Sequence, residues 1–410
     1  MRNRGVRAAT IKENFEELGG MTSSVLTDFE FAPFDIIDGD RGKNYPKQNE
    51  FASKGHCLFL SATNVTKSGF DFSDCQFVSE QKDAALRKGK LCRGDVILTT
   101  RGTIGNSAYY SDVIQYDHMR INSGMVILRC DTENILPVYL YHFLRSPAFS
   151  SQVNSLRSGV AQPQLPIRDM KKIKLPLPSV KVQSQISSTL SAYDDLIENN
   201  RRRIRLLEQA ARLLYKEWFV RLRFPGHEHT RIIDGVPEGW EKRQVKDLLA
   251  KVKRPGKIQK ADYLSDGPIP CVDQSREFIG GYTDQIETMI DELPMIVFGD
   301  HTRILKFIDF PFACGADGTQ LLTTHDPKIS QEFFFFSLDA IDLSNYFYAR
   351  HFKFLKDQLI PRPTDVLIDQ FTGVARPILK HVKILREQNG ELAHARDLLL
   401  PKLMSGEIAV

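Results

Sequence analysis

Across residues 179–219 the apolar side chains recur in alternating steps of four and three, at Ile186, Leu190, Tyr193, Ile197, Ile204, Leu207, Ala211, Leu214 and Trp218. Asn200 is the only strongly polar residue in the series. That spacing is the seam of a coiled coil. No Pro or Gly interrupts it, Ser179 follows Pro178 as a suitable N-cap, and Arg201, Arg202, Arg203 and Arg205 form a basic run beside it. The pattern predicts one continuous helix, roughly 60 Å long at 1.5 Å per residue.

The pattern returns 185 residues later (175 to 360). Leu175-Pro176-Leu177-Pro178-Ser179 becomes Ile360-Pro361-Arg362-Pro363-Thr364, and Gln185-Ile186 becomes Gln370-Phe371. The second seam reads Phe371, Ala375, Ile378, Val382, Leu385, Asn389, Leu392, Arg396, Leu399 and Leu403. A repeat at so long an offset implies two copies of a whole module, each ending in a helix. Chance similarity of two amphipathic helices would not carry over the shared Pro-x-Pro-Ser/Thr entry. Gly373, Pro377, Gly390 and Pro401 lie inside the second pattern. An interior Pro costs about 3 kcal/mol, so a kink or break is expected near Arg376.

Between the helices lie two stretches of short strand candidates punctuated by Gly, Asn and Asp. In the first, residues 57–60, 95–100 and 125–128 read as strands and 137–144 as a helix. In the second, 295–298, 304–308 and 320–322 read as strands, and 332–338 and 340–347 as helices. The expected division is a frayed or disordered leader at 1–21, with Met21 an alternative start; a globular domain at 22–174; a long helix at 175–222; a Gly/Pro-punctuated linker at 223–239; a second domain at 240–360; and a second helix at 361–410. The class is α+β, without the regular alternation of a doubly wound sheet.

Composition narrows this only a little. A length of 410 residues with 42% hydrophobic content allows two to four domains with ordinary cores. A net charge of +4 tolerates nucleic acid as a partner without demanding it. Cys57, Cys75, Cys92, Cys130, Cys271 and Cys314 form no CxxC pair and no zinc spacing, and nothing resembles a signal peptide. A reducing cytoplasm with thiols as core filler is the expectation, with no membrane partner, since no apolar run approaches the roughly 20 residues of a span.

Enzyme signatures are missing: no phosphate loop, no dinucleotide fingerprint, no His-Glu-x-x-His and no Asn-Pro-Pro-aromatic tetrad. Asp74, Glu80 and Lys82, with Asp71, could mimic a nuclease cluster, but such groupings are common in solvated loops. His227-Glu228-His229 lacks a third ligand for a metal. The polar loops are more informative. Residues 38–46 concentrate Arg41, Lys43, Asn44 and Tyr45, while Thr100, Arg101 and Thr103 follow a hydrophobic strand directly. In the second stretch His301, Thr302 and Arg303 also follow an apolar strand, and residues 346–356 interleave aromatics with Arg350 and Lys353. Such loops can offer Arg forks to base edges and backbone N–H groups to phosphate. Each alone could be a solvated turn; their presence in both stretches favours contact. The readings therefore compete as a DNA-recognition scaffold, a nuclease, and a coiled-coil assembly protein without DNA affinity.

The whole plan resembles the specificity subunit of type I restriction-modification systems. The segments that carry the resemblance are IIDGDRGKNYPK, RGDVILTTRGTIGN, SGVAQPQLPIRDMKKIKLPLP, YDDLIENNRRRIRLLEQAARLLYKEWF, VPEGWE and ARDLLLPKLMSGEI. Together they reach across residues 22–410, and the first twenty residues match nothing in the family pattern. The resemblance implies two target-recognition domains separated by two long helices forming an antiparallel coiled coil, with an internal pseudo-two-fold repeat. It implies a non-catalytic reader of double-stranded DNA. Each domain would read half of a bipartite asymmetric site, while the helices set the spacer and dock two methyltransferase subunits. Those partners, and endonuclease/translocase subunits beyond them, would carry S-adenosylmethionine, ATP and magnesium. Gln162 and Gln164, in the Gln-Pro-Gln segment, join the candidate DNA contacts; Leu207, Leu214, Trp218, Leu392 and Leu399 are the candidate partner contacts.

Overall fold

The computed structural model describes residues 25–157, 164–346 and 350–408; the 1–21 leader lies outside them. The chain divides into two compact units, Met1–Ile197 with Gly390–Val410, and Glu198–Asn389.

Besides a small hairpin at Val65–Thr66 and Gly69–Phe70, the strands of the first unit are β1 (Val25–Asp28), β2 (Phe34–Asp38), β3 (Cys57–Leu60), β4 (Phe77–Val78), β5 (Val96–Thr99), β6 (Ser107–Tyr109), β7 (Met119–Ile121), β8 (Met125–Cys130) and β9 (Lys174–Leu177). One antiparallel sheet runs β2-β8-β5-β6; a second runs β4-β3-β7 with β3 and β7 parallel; β1 pairs with β9. Every residue of β3 and β5 is buried, as their unbroken apolar runs require. Helices α1 (Glu80–Ala85), α2 (Pro137–Leu144) and α3 (Pro147–Leu156) cover the sheets, and Phe29, Phe143 and Phe149 pack together in the core.

The second unit contains β10 (Glu241–Gln244), β11 (Ile269–Val272), β12 (Gly281–Thr283), β13 (Met289–Ile290), β14 (Met295–Gly299), β15 (Leu305–Ile308), β16 (Phe312–Cys314), β17 (Thr319–Leu322) and β18 (Leu359–Arg362). Its sheets run β15-β14-β17 and β12-β11-β16-β13, with β11 and β16 parallel, and β10 pairs with β18. In each unit a central strand (β5 or β14) is flanked antiparallel by the next strand and by a later one, and one parallel pair lies in the other sheet. Strands β9 and β18 stand 185 residues apart (174 to 359). The 223–239 segment is tied into this unit by Phe224 and Trp240, whose rings lie 4.9 Å apart, and by a hairpin at Ile232–Ile233 and Val236–Pro237. The helix expected at 340–347 does not form over its described residues: after Ala340 the chain leaves the helix, and Asp342 caps the Ser344 N–H at 2.8 Å. Phe347 lies outside the described residues.

Two long helices contribute to both units. Helix α4 (Val180–Tyr215) continues through one π-helical turn at Lys216–Val220, so the continuity expected from the first seam is present. In the first unit Ile186 and Leu190 share a core with Leu400, Leu403 and Met404; in the second, Ala211, Tyr215 and Phe219 share one with Phe371 and Ala375. The buried stripe therefore steps 211, 215, 219, and Leu214 and Trp218 are only half-buried. Against a globular core a wider face is covered than a two-helix seam needs. The last long helix (Asp365–Ser405) shows no break at Arg376, contrary to expectation. Pro377 and Pro401 are both exposed, as are Gly373 and Asp397 four residues before them, so the carbonyls that lose a helical partner face water. Among the thiols, Cys92 is exposed and so is not core filler, whereas Cys57, Cys271 and Cys314 are buried. Among the described residues no helix is long and apolar enough to cross a membrane.

Candidate nucleic-acid interface

In the first unit two of the predicted loops meet across a third. Loop 100–106 closes the β5-β6 hairpin. Gly102 and Gly105 take φ of +73° and +90°, a region open to Gly at little cost. The Thr100 hydroxyl and the backbone N–H groups of Thr100 and Arg101 donate to the Gly124 carbonyl, and Leu165 N–H donates to the Thr100 carbonyl at 2.9 Å. Arg101 and Gln164 form a backbone bridge, and both are exposed. Arg41 reaches the same turn, donating to Ser123 O at 3.3 Å and to Asp38 at 3.2 Å. Buried Asp40 pins this loop by accepting from Gly42 and Arg87 N–H at 2.7 and 2.8 Å, and these bonds hold its carboxyl below the usual range. Arg41, Arg101, Thr103 and Gln164 thus gather on one exposed surface.

Lys43 is exposed beyond that turn, and Asn44 and Tyr45 face a different way. The Asn44 amide donates to Ala85 O at 3.0 Å, and the Tyr45 ring stands edge-on to Phe59. Gln162 lies outside the described residues.

The second unit builds its counterpart from four segments. The β14-β15 hairpin projects His301, Thr302 and Arg303, all exposed. Gln274 is the hub: its side chain accepts from His301 N–H and donates to Asp317 O, and its carbonyl accepts from the Thr302 hydroxyl at 2.7 Å. Asp300, buried beneath the loop, accepts from the N–H groups of His351 and Phe352, which docks the segment carrying exposed Arg350 and Lys353 onto the loop's base. Burial, and then the Arg303 charge, lower the His351 pKa. Arg303 itself adopts φ +62° and donates one N–H to Leu343 O at 3.1 Å.

Lys82, of the nuclease grouping, is paired to Glu50 at 2.7 Å, and His227 Nδ1 lies 2.8 Å from the Phe224 carbonyl. No group of three or more metal-ligating side chains occurs among the described residues. On the helices, Leu214, Trp218 and Leu399 pack against cores of this chain, and Leu207 and Leu392 are half-buried. Reading the seam alone missed the opposite face: Leu206, Leu213 and Val220, seven residues apart, are 65%, 56% and 59% exposed. Their heptad spacing was the available signal.

Residues 34–209 match the family described as the type I restriction modification DNA specificity domain. The chain is 24% identical to the type I restriction enzyme MjaIX specificity subunit of Methanocaldococcus jannaschii, over 78% of each protein. That family match spans the first unit's sheets and runs into α4. A second protein of that archaeon, bearing the MjaX specificity-subunit name, is 22% identical over 92% of both chains. The crystal structure of a type I system S subunit from M. genitalium superposes with a TM-score of 0.52 at 15% identity, covering 94% of this chain and 97% of that one, a likeness of fold.

Proposed function

We propose that this chain is a specificity subunit, the non-catalytic reader of a type I restriction-modification complex, each unit recognising one half of a bipartite asymmetric site in double-stranded DNA. One observation carries the reading: both units hang an exposed polar loop from the same central hairpin, while the residues on the two loops differ. The finer parts follow from the family resemblance. The globular stretches 22–174 and 240–360 are the recognition domains of a pseudo-two-fold repeat, and the long helices pair as an antiparallel coiled-coil spacer. Two methyltransferase subunits dock on that spacer, with the outward Leu206, Leu213 and Val220 added to the earlier candidates. Those subunits and the endonuclease/translocase subunits hold S-adenosylmethionine, ATP and magnesium, in the cytoplasm.

Mapping methylated bases in a host carrying the system tests this reading. Arg101→Ala should relax recognition in one half-site and Arg303→Ala in the other, each losing on the order of 1 to 3 kcal/mol of discrimination. An unchanged methylation map and affinity for both variants would reduce these loops to structural turns.

A further inference from the structure

Between β10 and β11 the second unit carries a strap, residues 250–262, with Lys251, Lys253, Arg254, Lys257 and Lys260 against a single acid, Asp262. All five cations are exposed, and among the described residues none of them forms a salt bridge. The backbone is tied down at Ala250 and again at Ile258. Ala250 N–H donates to Thr323 O at 2.9 Å, Ile258 N–H to Cys314 O at 3.0 Å, and Ala316 N–H to Ile258 O at 2.8 Å, with the Ile258 side chain buried. Lys251, Lys253, Arg254 and Lys257 therefore project from a span anchored at both ends. Arg254 donates to Gln320 Oε1 at 2.9 Å on β17. The turn just before β17 supplies Asp317 O to Gln274 and Gly318 O to Asp300 N–H, so strap and loop 300–303 flank one turn.

The strap also occupies the station of the 38–46 loop in the first unit. There β2 lies beside β8 and leads into β3; here Leu249 bridges Thr324 at the end of β17, and the chain leads into β11. In the first unit Asp38 and Asp40 offset or pin that loop, whereas the strap has no such compensation. Five like charges on one anchored segment repel one another, and an external polyanion relieves this.

We propose that this strap grips the sugar-phosphate backbone of duplex DNA beside the half-site read by loop 300–303; the inference rests on the DNA-reading function above. Phosphate contacts position a protein and give its affinity a salt dependence of about 0.9 in log–log slope per contact, without carrying sequence information.

The test uses the full chain bearing Lys251→Ala, Lys253→Ala and Lys257→Ala together, a salt titration against a mixed-sequence duplex, and a methylation map in the host. The slope should fall by about 2 to 3, affinity should drop alike for all sequences, and both half-sites should stay as in the wild type. The corresponding triple Lys→Arg variant should retain the wild-type slope. An unchanged slope in the alanine variant overturns the proposal, and so does an altered half-site, which would make the strap a base reader. A wild-type chain with no salt-dependent binding would instead remove the DNA-reading function on which the strap depends.

Discussion

Each unit buries a cation inside a strand, but the two are held differently. In the first, Arg120 on β7 is 4% exposed and gives Nε to the Asp83 carboxylate. Three further N–H groups go to the carbonyls of Lys88, Asp83 and Leu86 at 2.8, 2.7 and 3.1 Å. In the second, Lys306 on β15 is 5% exposed and donates to the carbonyls of Asp273, Glu277 and Phe278, with the Asp273 carboxylate 3.9 Å away. Burial pushes the Lys306 ammonium down to about 8, the charges of Asp273 and Glu277 acting the other way. The planar fork ties α1 and the chain after it to the first unit's sheet; the ammonium ties residues 273–278, and so Gln274, beneath the second unit's candidate loop. A shared strand topology can thus anchor unlike loops, as the proposed recognition of two unlike half-sites would require.

Breaking the first anchor should do the most damage. Arg120→Met leaves the buried Asp83 carboxylate to Lys90 and unpairs the carbonyls of Lys88, Asp83 and Leu86, a loss of about 3 kcal/mol in urea unfolding of the full chain. Lys306→Met unpairs carbonyls but strands no fully paired carboxylate. Unsatisfied carbonyls cost about 1 to 3 kcal/mol each, and some regain water as residues 273–278 loosen, so the net loss should be smaller. Equal losses would erase the distinction between the anchors.

In the first unit acid should act through Asp83. Burial alone would raise the Asp83 pKa, but Lys90 and Arg120 overcome it and hold the carboxyl at about 2 against 3.8. A depressed acid stabilises fully above its unfolded pKa and loses that contribution as pH falls through the folded one. Stability should therefore decline between about 3.8 and 2, by roughly 2 kcal/mol from this group, and the decline should shrink in Asp83→Asn. Lys306 works at the other end. The native chain has released a proton that the unfolded chain keeps between about 8 and 10.5, so its contribution makes stability rise across that window. Unfolding of wild type and Lys306→Met across both windows separates the two effects.

Much of this was legible in the sequence. The seam, the 185-residue offset and the strands ahead of both hairpin loops follow from periodicity and turn residues. The buried cations were not: in Met119-Arg120-Ile121 a polar residue between apolar ones reads as the solvent face, and only the tertiary contacts of Arg120 show that face to be closed. Tyr215 and Phe219 escaped because the helix leaves the two-helix register where it meets Phe333 and Phe371. The unbroken last helix shows local propensity yielding to packing on the Phe371 side while its prolines face water.

The smallest expected effect is the sharpest test of the paired hairpins. The first unit's loop places Gly at its positive-φ positions; the second places Arg303 there, at φ +62°. The left-handed region costs a residue with a Cβ about 1 to 2 kcal/mol, and Gly escapes most of it while losing more entropy on folding. Arg303→Gly should also lose the bond to Leu343 O, worth about 1 kcal/mol. The terms nearly cancel, so urea unfolding should shift by under about 1 kcal/mol. Arg303→Ala keeps the backbone cost, loses the same bond, and should be the less stable of the two. If the side chain serves recognition, both variants should weaken binding and relax the same half-site to the same degree despite their different stabilities. A glycine variant that binds like the wild type and leaves the methylation map unchanged would show that the Arg303 side chain takes no part in recognition, leaving His301 and Thr302 to carry that loop's contacts.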